Sequence, residues 1–338
     1  MGVGRRVIAS VCVVRWVIVG AGAVGGVVGG RLAAAGHEVV LVARGAHLEA
    51  IRRDGLLLRS PEGERALRVP VAGQVSDLDW RPGDVAVLGV KSMDTAAVLA
   101  DLAAVAPADT PVVCLQNGVA NERAALRVFA HVYGVWVVLP ASHLAPGVVA
   151  AHSGPIPGAL DLGRFPGGVD DTATELAAGL RSAGFESVAR PDIMRWKYAK
   201  LLTNLGNAIH ALCGRVDGVD AIDELVRAEG DAALRAAGID VAAPDEEDGR
   251  RAGVLTIKPV EGVPRGGSST WQSLARGTGT VEADFLNGEI VLLGRLHGVT
   301  TPANELARQL INRVARTGAE PGTLAPAEFL AMLETAGR

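Results

Sequence analysis

Gly20, Gly22 and Gly25 stand at G-x-G-x-x-G spacing within the run Gly20-Ala21-Gly22-Ala23-Val24-Gly25. Each glycine has a mechanical reason there. The first permits a tight turn, the second lets backbone approach a pyrophosphate, and the third lets a helix pack closely on a strand. A helix starting at that turn presents unpaired N–H groups to an anion, which makes the six residues a candidate dinucleotide cradle. A chain that binds NAD usually carries Asp or Glu at the end of the next strand for the ribose hydroxyls. Arg44 stands there instead, and a guanidinium suits the extra phosphate of NADP, which a carboxylate would repel. Later in the chain Lys200, Asn204 and Asn207 follow at i, i+4 and i+7, so they share one helix face. Glu282 and Glu289 fall within the apolar side of another helical pattern. Buried carboxylates are almost never left unpaired. Each must find a cation or donor, line a cavity, or sit where its helix leaves the core, and periodicity leaves these open.

The elements that must position these residues can be read from the pattern. An apolar run at 17–19 enters the glycine turn, a small-residue helix follows over 27–35, and a second strand covers 38–43. Glu38 opens that strand, at the wrong end of the sheet for a ribose. A helix is expected over 47–54, then a pair of short strands at 55–58 and 67–71 around the turn at Pro61-Glu62-Gly63. Buried strands follow at 84–90 and 111–115, with Lys91 after the first and Gln116-Asn117-Gly118 after the second. In an open parallel sheet ligands bind outside the carboxyl ends of the strands, so the glycine turn, Arg44, Lys91 and Asn117 converge on one crevice. Past residue 139 the signals weaken into loop and strand pieces, then a helix over 171–183. From Asp192 the period turns helical, with segments near 193–212, 220–237, 268–276, 281–297 and 302–317. The stretches 244–250 and 261–267 read as Gly/Pro/charge-rich loops.

At 338 residues and 49% hydrophobic content the chain has room for two globular domains. A net charge of −4 gives no argument for nucleic acid or for an anionic membrane surface. No apolar run approaches the roughly 20 residues that span a bilayer. Cys12, Cys114 and Cys213 are scattered, with no metal-ligand spacing, and suit free thiols in a reducing cytoplasm. Residues 1–15, with Arg5-Arg6 before a short apolar run that Arg15 interrupts, only faintly suggest a signal peptide and read as a disordered extra segment.

Taken together, Gly20-Ala21-Gly22-Ala23-Val24-Gly25, Val90-Lys91, Gln116-Asn117-Gly118, the Lys200-x-x-x-Asn204 helix, the Ser268-Ser269-x-x-Gln272 loop and Glu282-x-Asp284-x-x-Asn287-Gly288 resemble the ketopantoate reductase family, also called 2-dehydropantoate 2-reductases. The resemblance runs over about residues 17–316 and rests on the order and spacing of the motifs. It implies an α/β N-terminal Rossmann-type doubly wound domain over 16–190, an all-α C-terminal domain over 191–338, and an active site in the cleft between. It further implies NADPH-dependent reduction of a 2-oxo acid to the 2-hydroxy acid, a small-molecule substrate being the expected partner.

The roles implied for individual positions are these. Lys200 matches the family's proton donor, Asn117 the asparagine touching cofactor and substrate, and Lys91 a lysine at the cofactor. Arg44 resembles the arginine that takes the 2′-phosphate, Asn204 and Ser269 match substrate-binding positions, and Glu282 the glutamate that orders the ternary complex. Two departures lie on the substrate side. Ala208 stands where the family often has a second asparagine, with Asn207 one place early, and one extra residue separates the serine pair from Glu282. They keep open a different 2-oxo acid or ketone as substrate. A non-catalytic NADP(H)-binding regulator is a further alternative, against which Lys200 and Glu282 together argue. The Ala/Leu/Val-rich helices could pack against a second copy as a homodimer or form an internal core.

Overall fold

The computed structural model describes residues 14–263, 267–277 and 279–336, so the readings of residues 1–13, Cys12 among them, lie outside it. In chain order the first half runs β1 (Arg15–Val19), α1 (Ala23–Ala34), β2 (Glu38–Val42), α2 (Gly45–Asp54), β3 (Leu56–Ser60), β4 (Gly63–Leu67), β5 (Val71–Ala72), β6 (Asp84–Leu88), α3 (Thr95–Val105), β7 (Val112–Cys114), α4 (Asn121–Leu126), β8 (Val132–Val138), β9 (Ala141–Ala145), β10 (Val148–Ala151), β11 (Ala159–Arg164) and α5 (Asp171–Ser182). The second half is helical: α6 (Ile193–Asn204), α7 (Gly206–Cys213), α8 (Val219–Ala236), α9 (Pro244–Arg251), α10 (Ser269–Ala275), a 3-10 turn (Glu282–Phe285), α11 (Asn287–His297), α12 (Pro302–Thr317) and α13 (Pro326–Ala336).

Seven strands form one sheet in the order β11-β8-β7-β6-β1-β2-β5. β1 pairs in parallel with both β2 and β6. The chain therefore winds outward from β1 on one side and returns to build the other, which puts the switch point, and the crevice that accompanies it, at the carboxyl ends of β1 and β6. β1 and β6 are buried throughout, as strands covered on both faces must be. Their polar members pair with each other: Arg15 donates from Nε to Asp84 Oδ1 at 2.7 Å. Arg15 thus begins the sheet rather than ending a disordered segment. A smaller sheet, β4-β3-β10-β9, lies beside the large one.

Other expectations are corrected. The strands around Pro61 are β3 and β4, which pair antiparallel from Leu56↔Leu67 to Ser60↔Gly63, whereas Val71 belongs to the large sheet. The expected loop over 244–250 is α9, with Pro244 in its first turn and Asp245, Glu246 and Glu247 at the positive end of its dipole. The helix expected over 193–212 breaks at Leu205, giving α6 and α7. The helix expected over 281–297 breaks at Leu286, where φ is −112° and ψ is −88°. That break resets the phase. Asn287, placed on the polar face by a continuous helix, is buried, while Leu292 and Leu296, placed on the apolar face, are exposed.

α6 has a share in two cores. Ile193, Trp196 and Ala199 pack with Trp136, Val138 and Ala159 of the sheet. Leu201 and Leu202 join the helical core with Leu205, Ile209, Ile222 and Ile290, and Val119 of the first half enters that same core.

Candidate active site

The glycine turn closes the end of β1. Gly20 has φ +101°, which favours glycine, and a Cβ on Gly25 would come within 2.1 Å of the Gly20 carbonyl, so both are required by the turn itself. At Gly22 a Cβ would meet no atom of the described residues within 4 Å. Packing among the described residues does not demand glycine there, as expected where a ligand's backbone-hugging pyrophosphate makes the demand. Ala23 and Val24 open α1, whose first turn offers N–H groups toward the same space. His47 braces the turn: its Nδ1 accepts from Gly147 N at 2.8 Å, so its proton is on Nε2 and goes to Ala21 O, also at 2.8 Å. Burial pushes the His47 pKa down, in keeping with this neutral form. Arg44, the N-cap residue of α2, is exposed and has no carboxylate partner among the described residues.

At the carboxyl end of β6, Lys91 donates from Nζ to Thr280 O at 3.2 Å. Burial lowers its pKa, with Glu282 opposing. Glu282 Oε1 accepts from both Ser92 N (2.9 Å) and Ser92 Oγ (3.0 Å), so the second half is tied to the first at the edge of the crevice. Ser92 Oγ in turn accepts from Asn121 Nδ2, which also donates to Asn117 O. Gln116 completes the network by donating to Val90 O and to Thr95 Oγ1. Among the described residues Gln116 Oε1 has no hydrogen-bond partner, but the bonds that Asn121, Ser92 and the Gln116 amide nitrogen do make tie these strand ends together.

Asn117, at the end of β7, accepts at Oδ1 from Asn204 Nδ2 at 3.2 Å. Asn204 is buried, not part of a solvated polar face. Lys200 lies one turn before it on α6. The residue keeps partial exposure, but its ammonium lies among protein atoms, and burial together with the charge of Arg251 lowers its pKa to about 8, with Glu247 opposing. Asn207 lies in the first turn of α7, and its carbonyl accepts from Ser268 Oγ. Ser268 also caps α10. Ser269 is exposed, and its carbonyl accepts from Ser273 Oγ, so of the serine pair it is Ser268 that touches the Asn207 side. Glu289, the other carboxylate left open, is half-buried, and its pKa is raised by burial, with Arg123 opposing.

Lys197 and Glu122 were not singled out by the sequence. Lys197 Nζ donates to Gln116 O at 2.8 Å and to Val135 O at 3.1 Å, and lies 2.8 Å from Glu122 Oε1. The contact is an ion pair. Both residues are buried. Lys197 fixes α6 against the backbone of Gln116 and Val135, next to Asn117, while Asn204 bonds the Asn117 side chain itself.

Comparison with known proteins agrees across nearly the whole described chain. Residues 16–167 match the family described as ketopantoate reductase PanE/ApbA, and residues 192–315 match its C-terminal part. A 2-dehydropantoate 2-reductase of Archaeoglobus fulgidus is 34% identical over 306 residues, covering 88% of this chain and 96% of its own. Another, of Pyrococcus horikoshii, is 30% identical over 302 residues, covering 87% and 95%. The crystal structure of a PanE/ApbA family ketopantoate reductase from Ralstonia eutropha superposes with a TM-score of 0.75 at 31% identity, covering 90% of this chain and 99% of that one.

Proposed function

The chain belongs to the ketopantoate reductase family, and from that footing we propose that it reduces a 2-oxo acid to the 2-hydroxy acid with NADPH, 2-dehydropantoate being the first candidate. Membership makes it an oxidoreductase acting on CH–OH groups. The observation that carries the finer reading is the 3.2 Å bond between Asn204 and Asn117. It joins the helix bearing Lys200 to the strand end beside the glycine turn, as a reaction between a substrate on one and a nucleotide on the other requires.

The residues fit a phosphorylated dinucleotide. The turn 20–25 would take the pyrophosphate, with Gly22 leaving room for it, and Arg44, exposed and with no carboxylate partner among the described residues, would take the 2′-phosphate. When bound, NADPH supplies the hydride. Lys200, as the ammonium, stabilises the negative charge that develops on the substrate oxygen and then gives that oxygen its proton. A pKa of about 8 leaves it mostly protonated at neutral pH yet a better donor than an ordinary lysine. Asn117 keeps its side-chain N–H groups for substrate or nucleotide, its oxygen being occupied by Asn204. Asn204 and Asn207 orient the substrate, and Ser269, with Ser268 beside it, supplies a hydroxyl to the carboxylate. Glu282 holds Ser92, and through it the Asn121–Asn117 network, in place while Lys91 approaches the nucleotide.

A second reading, the same chemistry on another 2-oxo acid, is favoured by Ala208 standing where the family often has a second asparagine, with Asn207 one place early. The test is steady-state loss of NADPH absorbance on a panel of 2-oxo acids that includes 2-dehydropantoate. Turnover with 2-dehydropantoate at the highest kcat/KM supports the first reading, a better substrate elsewhere in the panel supports the second, and no substrate-dependent oxidation rejects both.

A further inference from the structure

Among the described residues, several partly buried arginines have close carboxylates: Arg15 has Asp84, Arg190 and Arg250 share Asp161, and Arg308 of the helical half has Asp284 and Glu305. Arg276 does not. It follows α10 directly, is half-buried, and donates from Nη1 to His143 O on β9 at 3.0 Å. No carboxylate among the described residues pairs with it. A guanidinium has five N–H donors, and this single carbonyl leaves most of them unused. Removing an unpaired cation from water is costly, and burial lowers the pKa of Arg276 accordingly.

Its neighbours say which way it faces. The His143 ring lies on that of His47, centroids 4.1 Å apart, and His47 holds the Ala21 carbonyl of the glycine turn. Arg276 also acts on the charge of Lys91, at the neighbouring strand end, where Glu282 is the opposing carboxylate. Two cations, one from each half of the chain, therefore flank the turn. The His143 ring, its pKa pushed down to about 4 by burial and by the nearby His47 and Arg276, stays neutral between them and adds no charge. The substrate side, marked by Asn117, Asn204 and Lys200, is tied to other elements.

We propose that Arg276 is a ligand of the dinucleotide's diphosphate, delivered across the crevice from the helical half to meet the anion held by the glycine turn. This rests on the reading that a nicotinamide dinucleotide binds at that turn. The diphosphate is negative, accepts from several donors at once, and gives the guanidinium an anionic partner that it lacks among the described residues.

The experiment is fluorescence titration of the wild-type protein, Arg276→Met and Arg276→Lys with NADPH and with NADH, at two salt concentrations, together with ligand-free melting temperatures and the KM for the 2-oxo acid. Arg276→Met should weaken both nucleotides by the same factor, on the order of 10- to 100-fold, and flatten the salt dependence. Arg276→Lys should restore part of the affinity, having charge without the fork, and neither change should lower the ligand-free melting temperature. Unchanged dissociation constants would overturn the proposal. So would a loss confined to NADPH, which would put Arg276 on the 2′-phosphate, or a change in the 2-oxo acid KM alone, which would put it on the substrate carboxylate. A wild-type protein that binds neither nucleotide would instead remove the dinucleotide reading and this assignment with it.

Discussion

Lys200 is asked to carry a charge where the fold makes charge expensive. Its ammonium has Arg251 for one neighbour and Glu247 for the other, and its pKa falls from 10.5 to about 8. The unfolded chain therefore binds more protons than the folded one between those values, so this residue makes stability rise with pH across that window and be lower below it. Lys200→Met should raise the melting temperature at neutral pH while lowering turnover by roughly 10² to 10⁴, the usual worth of acid–base help, with the NADPH dissociation constant little changed. A variant that turns over at the wild-type rate would remove Lys200 as the acid. In the wild-type enzyme kcat should fall as pH rises through about 8, because the donor is then spent; a flat profile to pH 10 would contradict that. Arg44 makes a separate expectation. Exposed, and with no partner among the described residues, it contributes little to folding, so Arg44→Ala should leave stability alone and weaken NADPH far more than NADH, whereas equal losses would take the 2′-phosphate away from it.

At the scale of elements, α6 shows how much of the site the sequence made legible. Lys200 and Asn204 could be placed on one face because their spacing is a local property, and Asn117 could be brought near them only through the resemblance. The Lys197–Glu122 pair escaped, for a physical reason. A buried ion pair between two helices far apart in the sequence, α6 and α4, has no local period, and Lys197 reads as one more solvated lysine on a charged helix. The hairpin of β3 and β4 and the phase of α11 were misread similarly: pairing partners and a break at Leu286 are decided by packing, not by runs of residue types. Strand ends were legible because parallel topology fixes them. The pair makes its own prediction. Lys197→Met leaves the Glu122 carboxylate buried without its counter-charge and should cost about 3–5 kcal/mol, seen as a lower denaturant midpoint. Lys197→Met with Glu122→Leu should recover most of it, since replacing both ions by apolar groups is often near neutral. If the double variant is as unstable as the single one, the strain lies in the lost bonds to Gln116 and Val135 rather than in the stranded charge.

On the scale of the whole molecule, the two halves are stitched rather than merely adjacent. α6 lies in both cores. Across the crevice the second half bonds the first through Asn204 to Asn117, Glu282 to Ser92, Thr280 to Lys91, Gln272 to Ala141 and Arg276 to His143. Each surface bond contributes little by itself, but unfolding the helical half alone would strip α6 from Trp136 and Val138 and leave Lys197 and Glu122 without each other. Calorimetry of the ligand-free protein should accordingly give one cooperative transition, with calorimetric and van't Hoff enthalpies in agreement. The crevice is formed by both halves, so NADPH binds only the intact arrangement, and saturation at 100 times the dissociation constant should add about 2.7 kcal/mol to that same single transition. Two resolved melting steps, or a nucleotide that shifts only one of them, would mean that the halves fold independently and that the bonds across the crevice follow from docking instead of helping to create it.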